Sequence, residues 1–446
     1  MSDYMFMLES HLSTDQNRIL AEVQAAAAEA NTSLFLTGGA MRDMLGGFPI
    51  RDLDFTIESP NAPKIGKALA KKTGARVVEE DDLRKSVELL FPCGVTIEIA
   101  MARQETYAKP GAKPQVVPAT VHEDLRFRDF TVNAIALSLN RASRGLLIDP
   151  TNGLGDLEHK ELRTTYNFSL YDDPGRMLRL IRLRVRLGFT IEERTKQQYE
   201  NVRLEHLEES ISARRLFEEL HSIAQDPNAG DILKALEEEK LLSLFSPALE
   251  GAKLNLAGFG KLQKAAQLVP PGARFAVDHF ALFMNVVTEK LTPKEKAALV
   301  KTVAMKPEYL DAWQKLDARS KKLEKDLKSA KLNRPSQVFH TINKAPGEQL
   351  MFLLLRSQVR LVQDRIRNYF QKYLPMAQEV TDEEVRAQGV EPGTAKYEKA
   401  KDDLITAKLN ARPKRPTPEE LAPPLPPEPA PTGNLRRPYS RQPSAR

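Results

Sequence analysis

Residues 34–58 read LFLTGGAMRDMLGGFPIRDLDFTIE, and this stretch decides the fold. Residues 33–37 form a short apolar run that stops at Gly38-Gly39, and a helical pattern follows. Strand character returns at residues 53–57. The order is therefore strand, Gly-Gly, helix, loop, strand, with Asp52 and Asp54 at the second strand. Side chains at i and i+2 share one face of a strand, so the spacing sets both carboxylates on the same side. Two such carboxylates repel each other unless a cation lies between them. The pattern suits a pair of Mg²⁺ ions about 4 Å apart, one activating an attacking oxygen and one holding a triphosphate. Glycines at a strand-to-helix turn let backbone N–H groups approach phosphate oxygens, and the helix N-terminus favours the negative charge. A lone D-x-D or a lone Gly-Gly is common on protein surfaces; the two in this order point to a catalytic metal site.

Further along, residues 63–72 read as a helix and 76–78 as a strand. Residues 86–91 and 95–100 read as a hairpin turning at Pro92 and Gly94. Thr96, Glu98 and Ala100 share one face, so Glu98 joins the acid pair if its strand lies beside that of Asp54. Residues 103–122 (RQETYAKPGAKPQVVPATVH) read as a flexible loop near the site. From about Asp172 the period becomes helical and strand signals vanish, with amphipathic helices at 211–224, 229–244, 293–303 and 347–373. Residues 413–446 hold eleven of the 30 prolines and end in Arg436, Arg437, Arg441 and Arg446. They read as a solvated tail or an auxiliary RNA-contacting arm.

The 446 residues, 41 % hydrophobic and 28 % charged, suit about two to four globular domains. No run approaches the ~20 apolar residues of a membrane span, so no membrane partner is expected. The start carries early acids and lacks a signal pattern. Cys93 is the single cysteine and cannot form an internal disulfide, which reads as a cytoplasmic, reducing setting. A net charge of +6 and a pI of about 9.1 favour a partner rich in phosphates.

GGAMRD (38–43) followed by RDLDF (51–55) resembles motif A of the tRNA nucleotidyltransferase and poly(A) polymerase family, class II of the DNA polymerase beta superfamily. The resemblance implies an α+β chain. A nucleotidyltransferase (DNA polymerase beta-like) α/β head at 1–160 precedes an all-α neck at 161–225 with a base-reading helix. A helical body at 226–345 and a helical tail at 346–411, both RNA-binding, follow, and then the proline-rich tail at 412–446. It implies Asp52 and Asp54 as ligands of two Mg²⁺ ions, Gly38 and Gly39 along the triphosphate, and an acid at Glu98. Arg42 and Asp43 match the family's RD pair, as a ligand contact or a helix salt bridge. Residues 123–137 (EDLRFRDFTVNAIAL) resemble motif B, in which Arg128, Asp129 and Asn133 match; Phe127 stands in the place of a first arginine, for which Arg126 is the substitute. An arginine there offers paired donors to triphosphate oxygens, while Asp and Asn hold ribose hydroxyls. Residues 149–157 resemble the family's following turn and read as structural.

Residues 172–189 (DDPGRMLRLIRLRVRLGF) resemble the family's base-reading segment, with Asp173 and Arg176 at its reading pair and Asp172 in place of a glutamate. Three apart, they face together on a helix. A carboxylate accepts from the exocyclic amine of cytosine or adenine, and an arginine donates to the adjacent ring nitrogen. Uracil and guanine present a carbonyl there and are repelled. The competing reading makes Asp173 a helix N-cap with Pro174 at the first helical position. Arg176, Arg179, Arg182 and Arg186 recur along one stripe, reaching triphosphate or an RNA 3′ end, or forming an exposed face. Residues 211–220 (ISARRLFEEL) resemble a neck-stabilising helix, with Arg214 in place of a glutamate.

Basic residues gather at 290–334, including Lys321, Lys322, Lys325, Lys328 and Lys331, and again at Arg356, Arg360, Arg365 and Arg367 near Tyr369 and Tyr373. Dispersed cations on helices suit the phosphates of an A-form stem. Gly389 and Gly393 mark a turn resembling the family's C-terminal module. The expected reaction is attack of an RNA 3′-hydroxyl on the α-phosphate of CTP or ATP, releasing pyrophosphate. The expected partners are these nucleotides and a tRNA or other structured RNA 3′ end. Completion of CCA, addition of the terminal A alone, and poly(A) synthesis share these motifs; a silent RNA-binding protein would not need Asp52 and Asp54. No His-Asp hydrolase cluster is visible in the C-terminal half.

Overall fold

The computed structural model describes residues 3–270 and 275–411. Helices α1 (Asp3–His11) and α2 (Thr14–Glu29) come first, α2 opening with a capping box between Ser13 and Gln16. The strand-helix-strand signal appears as β1 (Leu34–Thr37), α3 (Gly38–Leu45) and β2 (Leu53–Ile57). Helix α4 (Ala62–Thr73) leads to β3 (Arg76–Asp81), β4 (Ser86–Leu90) and β5 (Thr96–Met101). Strands β6 (Arg103–Thr106) and β7 (Gln115–Pro118) precede α5 (Val121–Arg126), β8 (Ala136–Ser138), β9 (Leu147–Ile148) and α6 (Gly153–His159).

Seven described strands make one sheet in the order β3-β4-β5-β2-β1-β8-β9. Period-two alternation divides β2 between two faces. Leu53, Phe55 and Ile57 join Ile97, Ile99, Val87 and Leu89 in the large core under α2, α3 and α4. The opposite face carries Asp54 and Thr56, and Phe35 packs there in a small cluster with Val121 and Leu125 of α5. Asp52 sits one residue ahead of β2 rather than inside it.

Several expectations change. Residues 103–122 are not a loop: β6 and β7 pair as an antiparallel hairpin before α5 begins. Glu105 anchors that hairpin between Arg84 and Arg103 at 2.9 and 2.8 Å. The helical stretch 229–244 stops at Glu238, and Leu242–Leu244 is a separate 3₁₀ turn. The stretch 347–373 breaks between Gly347–Arg356 and Arg360–Asn368. There Ser357 turns extended, and its Oγ binds Glu324 and the Val359 N–H in place of a helical bond.

After a short strand β10 (Glu161–Leu162), the neck is built of α7 (Ser169–Asp172), α8 (Gly175–Leu187), β11 (Thr190–Ile191), α9 (Glu193–Leu204) and α10 (Ala213–Ala224). β10 and β11 pair in parallel, so strand structure does reach past Asp172. Helices continue to Gln378. By its contacts the chain divides after Glu379. The second unit holds helices Asp382–Arg386 and Ala395–Asn410, joined by a turn in which Gly389 and Gly393 take φ of 76° and 81°. Residues 412–446, the proline-rich tail, lie outside the described residues. No described helix is long and apolar enough to cross a membrane.

Candidate active site

The parallel register of β2 and β5 sets Asp54 opposite Glu98. The antiparallel register of β4 sets Glu88 opposite Glu98, and β3 adds Glu79 opposite Glu88. A lateral row of acids thus crosses the sheet on one face, with Asp52 just outside it. Directly opposed like charges are destabilising. Burial, then Glu98 and Asp52, push the Asp54 carboxyl up to about 7 against the pull of Arg128 and the Gly39 N–H. Burial also raises Asp52, opposed by Arg51 and Arg186. Burial, then Glu98 and Asp52, raise Glu88 to about 7. Glu98 stands where the sequence expected it; Glu88 and Glu79 were not foreseen, because cross-strand register is not local.

Such under-neutralised carboxylates fit a divalent cation. No group of three or more His, Cys, Asp or Glu side chains among the described residues is already gathered as a metal cage. Mg²⁺ needs none, since it commonly takes one or two carboxylates and fills its octahedron with water and substrate phosphates. The carboxylates of Asp52 and Asp54 have the chemistry of that donor set.

The Gly-Gly turn presses on Asp54. Gly39 donates its N–H to Asp54 Oδ2 at 3.1 Å. Gly38 has φ of 67°, and a Cβ there would lie 3.1 Å from Asp54 Oδ2 and 3.2 Å from Arg128 Nη1. Arg128 stands behind Asp54, with Nη2 donating to Thr37 and Thr56 at 3.2 and 3.1 Å and Nε to Asp124 at 2.9 Å. Its donors are taken by protein acceptors.

Asn133 links two of the expected nucleotide-binding groups. Its Oδ1 accepts from Arg42 Nη1 at 2.7 Å and its Nδ2 donates to Asp129 Oδ1 at 3.0 Å. Arg42 is buried and pairs with Asp43, whose other oxygen accepts from Arg186 at 2.6 Å. Burial and the neighbouring Arg42 lower Arg186 to about 10. Asp129 Oδ2 accepts from Arg179 at 2.8 Å; although burial works against it, Arg179 and Arg176 hold this carboxyl well below the usual range. Arg179 and Arg182 converge on Glu219 at 2.9 and 3.1 Å. The arginine stripe of α8 is therefore no exposed face: it is a buried ion-pair seam between head and neck.

Asp173 and Arg176 do not share a helix face. Asp173 precedes α8 with φ of −130°, and Pro174 takes the N-cap position. Its Oδ1 accepts from the Gly175 N–H at 3.0 Å and its Oδ2 from Arg215 Nη2 at 2.8 Å. Arg176 Nε stands 3.8 Å from Oδ2, too far for a hydrogen bond. The Arg176 guanidinium donates to Ser169 Oγ at 2.6 Å and to the Phe127 and Arg128 carbonyls, and it lies 5.8 Å from the Tyr166 ring centroid. Asp173 and Arg176 are side by side, but by the turn before α8 rather than by helical spacing.

Residues 34–163 match the poly(A) polymerase head domain, and 188–253 match the probable RNA and SrmB-binding site of polymerase A. Both matches are to parts of polymerase A-type nucleotidyltransferases, and they place residues 34–163 among head domains of that kind. It is 29 % identical over 343 residues to the A-adding tRNA nucleotidyltransferase of Aquifex aeolicus, covering 76 % of this chain and 40 % of that protein. It is 36 % identical over 195 residues to the A-adding tRNA nucleotidyltransferase of Halalkalibacterium halodurans, covering 44 % and 45 %. To the CC-adding tRNA nucleotidyltransferase of Deinococcus radiodurans it is 33 % identical over 222 residues, covering 50 % and 58 %. The chain thus spans 40 to 58 % of the length of these curated relatives. The structure of a CCA-adding enzyme in apo form II superposes with a TM-score of 0.52 at 22 % identity, over 94 % of this chain and 97 % of that one, and establishes the shared fold.

Among the described residues the basic helical surface is mixed. Lys321, Lys322, Lys325, Lys328 and Lys331 are exposed, though Lys321 and Lys328 pair with Asp317 and Glu324. Arg365 is spent on the carbonyls of Ser329 and Leu332 at 3.2 and 2.6 Å, Arg356 on Glu289, and Tyr369 is buried with its hydroxyl on Asn343. The sequence missed Arg215, Glu219, Ser169 and Tyr166 as site residues; Arg215 and Glu219 lie in the 211–220 helix, assigned there only a stabilising part.

Proposed function

We propose that this chain is a tRNA nucleotidyltransferase that adds C and A, as CCA or as the terminal A alone, to the tRNA 3′ end without a nucleic-acid template. The observation that carries it is Asp54 in register with Glu98, beside Asp52 and under the Gly38-Gly39 turn. Asp52 and Asp54 would hold Mg²⁺, which when bound supplies charge neutralisation at the phosphates and at the attacking oxygen. The reaction joins the RNA 3′-oxygen to the α-phosphorus of CTP or ATP and breaks the bond to pyrophosphate. The protein's part is positioning and electrostatics. The glycine turn leaves room for phosphate oxygens at the N-terminus of α3. Arg42, Arg128, Asp129, Asn133, Arg179 and Arg182 form the hydrogen-bonded wall for the nucleotide. Asp173 and Arg176 serve as the side-chain template, selecting bases with an exocyclic amine. Exposed lysines of helix Pro307–Lys328 offer phosphate contacts to a structured RNA. The single cysteine fits a cytoplasmic setting.

Poly(A) synthesis on the same fold is the second reading, supported by the match of residues 34–163 to a poly(A) polymerase head. Incubation with Mg²⁺, single or mixed nucleotides, and tRNA ending before CCA or after CC separates the two. Incorporation that stops at CCA supports the proposal, whereas long A-tails on unstructured RNA would sink it. Asp173→Ala is expected to relax rejection of UTP and GTP by about tenfold or more, as measured by kcat/KM for each nucleotide. Unchanged selectivity removes Asp173 from base reading.

A further inference from the structure

Arg215 lies in the first turn of α10, where Ser212 caps the helix by accepting the Arg215 N–H at 3.3 Å. Its guanidinium is shared by two acids: Nη1 donates to Glu218 Oε2 at 2.7 Å and Nη2 to Asp173 Oδ2 at 2.8 Å. Its third nitrogen, Nε, is buried without a hydrogen-bond partner. It lies against the bare Cα of Gly175: a Cβ built there would stand 3.1 Å from Arg215 Nε and 2.9 Å from Asp173 Oδ1. That same Oδ1 accepts the Gly175 N–H at 3.0 Å. The Asp173 carboxylate is thus pinned at both oxygens, once by an arginine from another helix and once by the backbone of its own turn. A carboxylate has about four lone-pair sites, so two such bonds leave acceptor capacity open.

We propose that Arg215 is a specificity-positioning residue, holding the Asp173 carboxylate in the orientation that meets the exocyclic amine of cytosine or adenine. This rests on the reading of Asp173 as the base-reading acid. The terminal torsion of an aspartate is a broad, roughly two-fold rotor, so the carboxylate's direction has to be imposed from outside. Arg176 does not impose it, with Nε at 3.8 Å and its other donors on Ser169 and backbone carbonyls. A fixed acceptor discriminates because a uracil or guanine carbonyl meets oxygen lone pairs that cannot turn away. An unpinned carboxylate can rotate and admit water, and the penalty for the wrong base falls. Gly175 belongs to the same device, since any side chain at that position pushes Asp173 Oδ1 from its seat.

The test uses the full chain, Mg²⁺ and a tRNA ending after CC or before CCA, with kcat/KM measured for each of the four nucleotides. Arg215→Gln is expected to lower the preference for CTP and ATP over UTP and GTP by about tenfold or more. Arg215→Lys keeps the charge and one donor and retains more of that preference. Gly175→Ala, which alters no charge, lowers the preference as well while the melting temperature holds, and it reads the proposal even if the arginine variants fold poorly. An equal loss for all four nucleotides in Arg215→Gln, or an unchanged preference in a folded Gly175→Ala, overturns the proposal. A wild-type protein that adds no nucleotide sinks the activity reading instead. The same variants are then read by equilibrium binding of the four nucleotides, where equal changes overturn the proposal and a selective loss of CTP and ATP supports it.

Discussion

Asp54→Asn is expected to abolish nucleotide addition and, at the same time, to stabilise the metal-free protein. In the proposed metal site, losing one of the two carboxylates removes the charge neutralisation on which phosphoryl chemistry depends, a loss of at least about a thousandfold in kcat. The stability effect has the opposite sign. Asp54 is raised to about 7 from its ordinary 3.8. Between those values the folded state binds more protons than the unfolded chain, so stability falls as pH rises from about 4 through about 7 and levels off above. A neutral amide escapes burial of a charge beside Glu98 and Asp52, and a gain of about 1 kcal/mol, or roughly 2–4 °C in melting temperature at pH 8, follows. Added Mg²⁺ should raise the melting temperature of the wild type and have a smaller effect on Asp54→Asn. Retained activity, or an equal Mg²⁺ shift in both proteins, would refute the assignment of Asp54 as a metal ligand. Binding of tRNA, measured by gel shift, should stay near wild type in the same variant, since the basic helices lie elsewhere in the chain.

The second large effect is on folding. Glu219 is completely buried and is the shared partner of Arg182, which is also buried, and of Arg179, which is partly exposed. Burial would raise its carboxyl, yet Arg179 and Arg182 hold it below the ordinary 4.5. Glu219→Ala leaves two guanidinium groups in the head–neck seam without their acid. Removing one partner of a buried ion pair costs about 3–5 kcal/mol, which denaturant unfolding would register directly. Glu219→Ala with Arg182→Met should recover part of that loss, because one orphaned charge leaves with its partner. The depressed carboxyl adds a pH signature: the wild-type advantage over Glu219→Ala is full above about pH 4.5 and shrinks as pH falls below it. A loss under about 1 kcal/mol would show that the seam is solvated and that the arginines are free to leave it.

These effects arise from different ranges of information along the chain. The strand, Gly-Gly, helix and D-x-D order was legible because each part is local: alternation of period two, a glycine turn, a helical period. The hairpin at 103–118 was not legible. Pro110, Gly111 and Pro114 give it a loop composition, and what orders it comes from elsewhere, as in Arg84 on Glu105 and the Gly111 N–H on the Asp172 carbonyl at 3.2 Å. Glu98 could be named only conditionally, because it lies 44 positions from Asp54 in sequence while one strand spacing separates them in the sheet. Glu88 gave no signal at all, being an ordinary polar position of a hairpin until β5 is placed beside β2.

The arginines of α8 divide the two kinds of knowledge most clearly. By itself the sequence determined that a helix runs there, that its arginines fall on a stripe, and that two acids stand two residues apart at the start of a strand. Periodicity reports which side chains share a face, and the D-x-D reports a chemistry, because both are set by neighbours a few residues away. It does not report what the face meets. Glu219 lies 37 positions from Arg182 and Asp43 lies 143 from Arg186. Only the folded chain brings those acids to the stripe, turns an apparent solvent face into a buried seam, and sets Arg215 against the carboxylate proposed to choose the base. Electrostatic partners act through space over a few ångströms, and only tertiary structure fixes that distance.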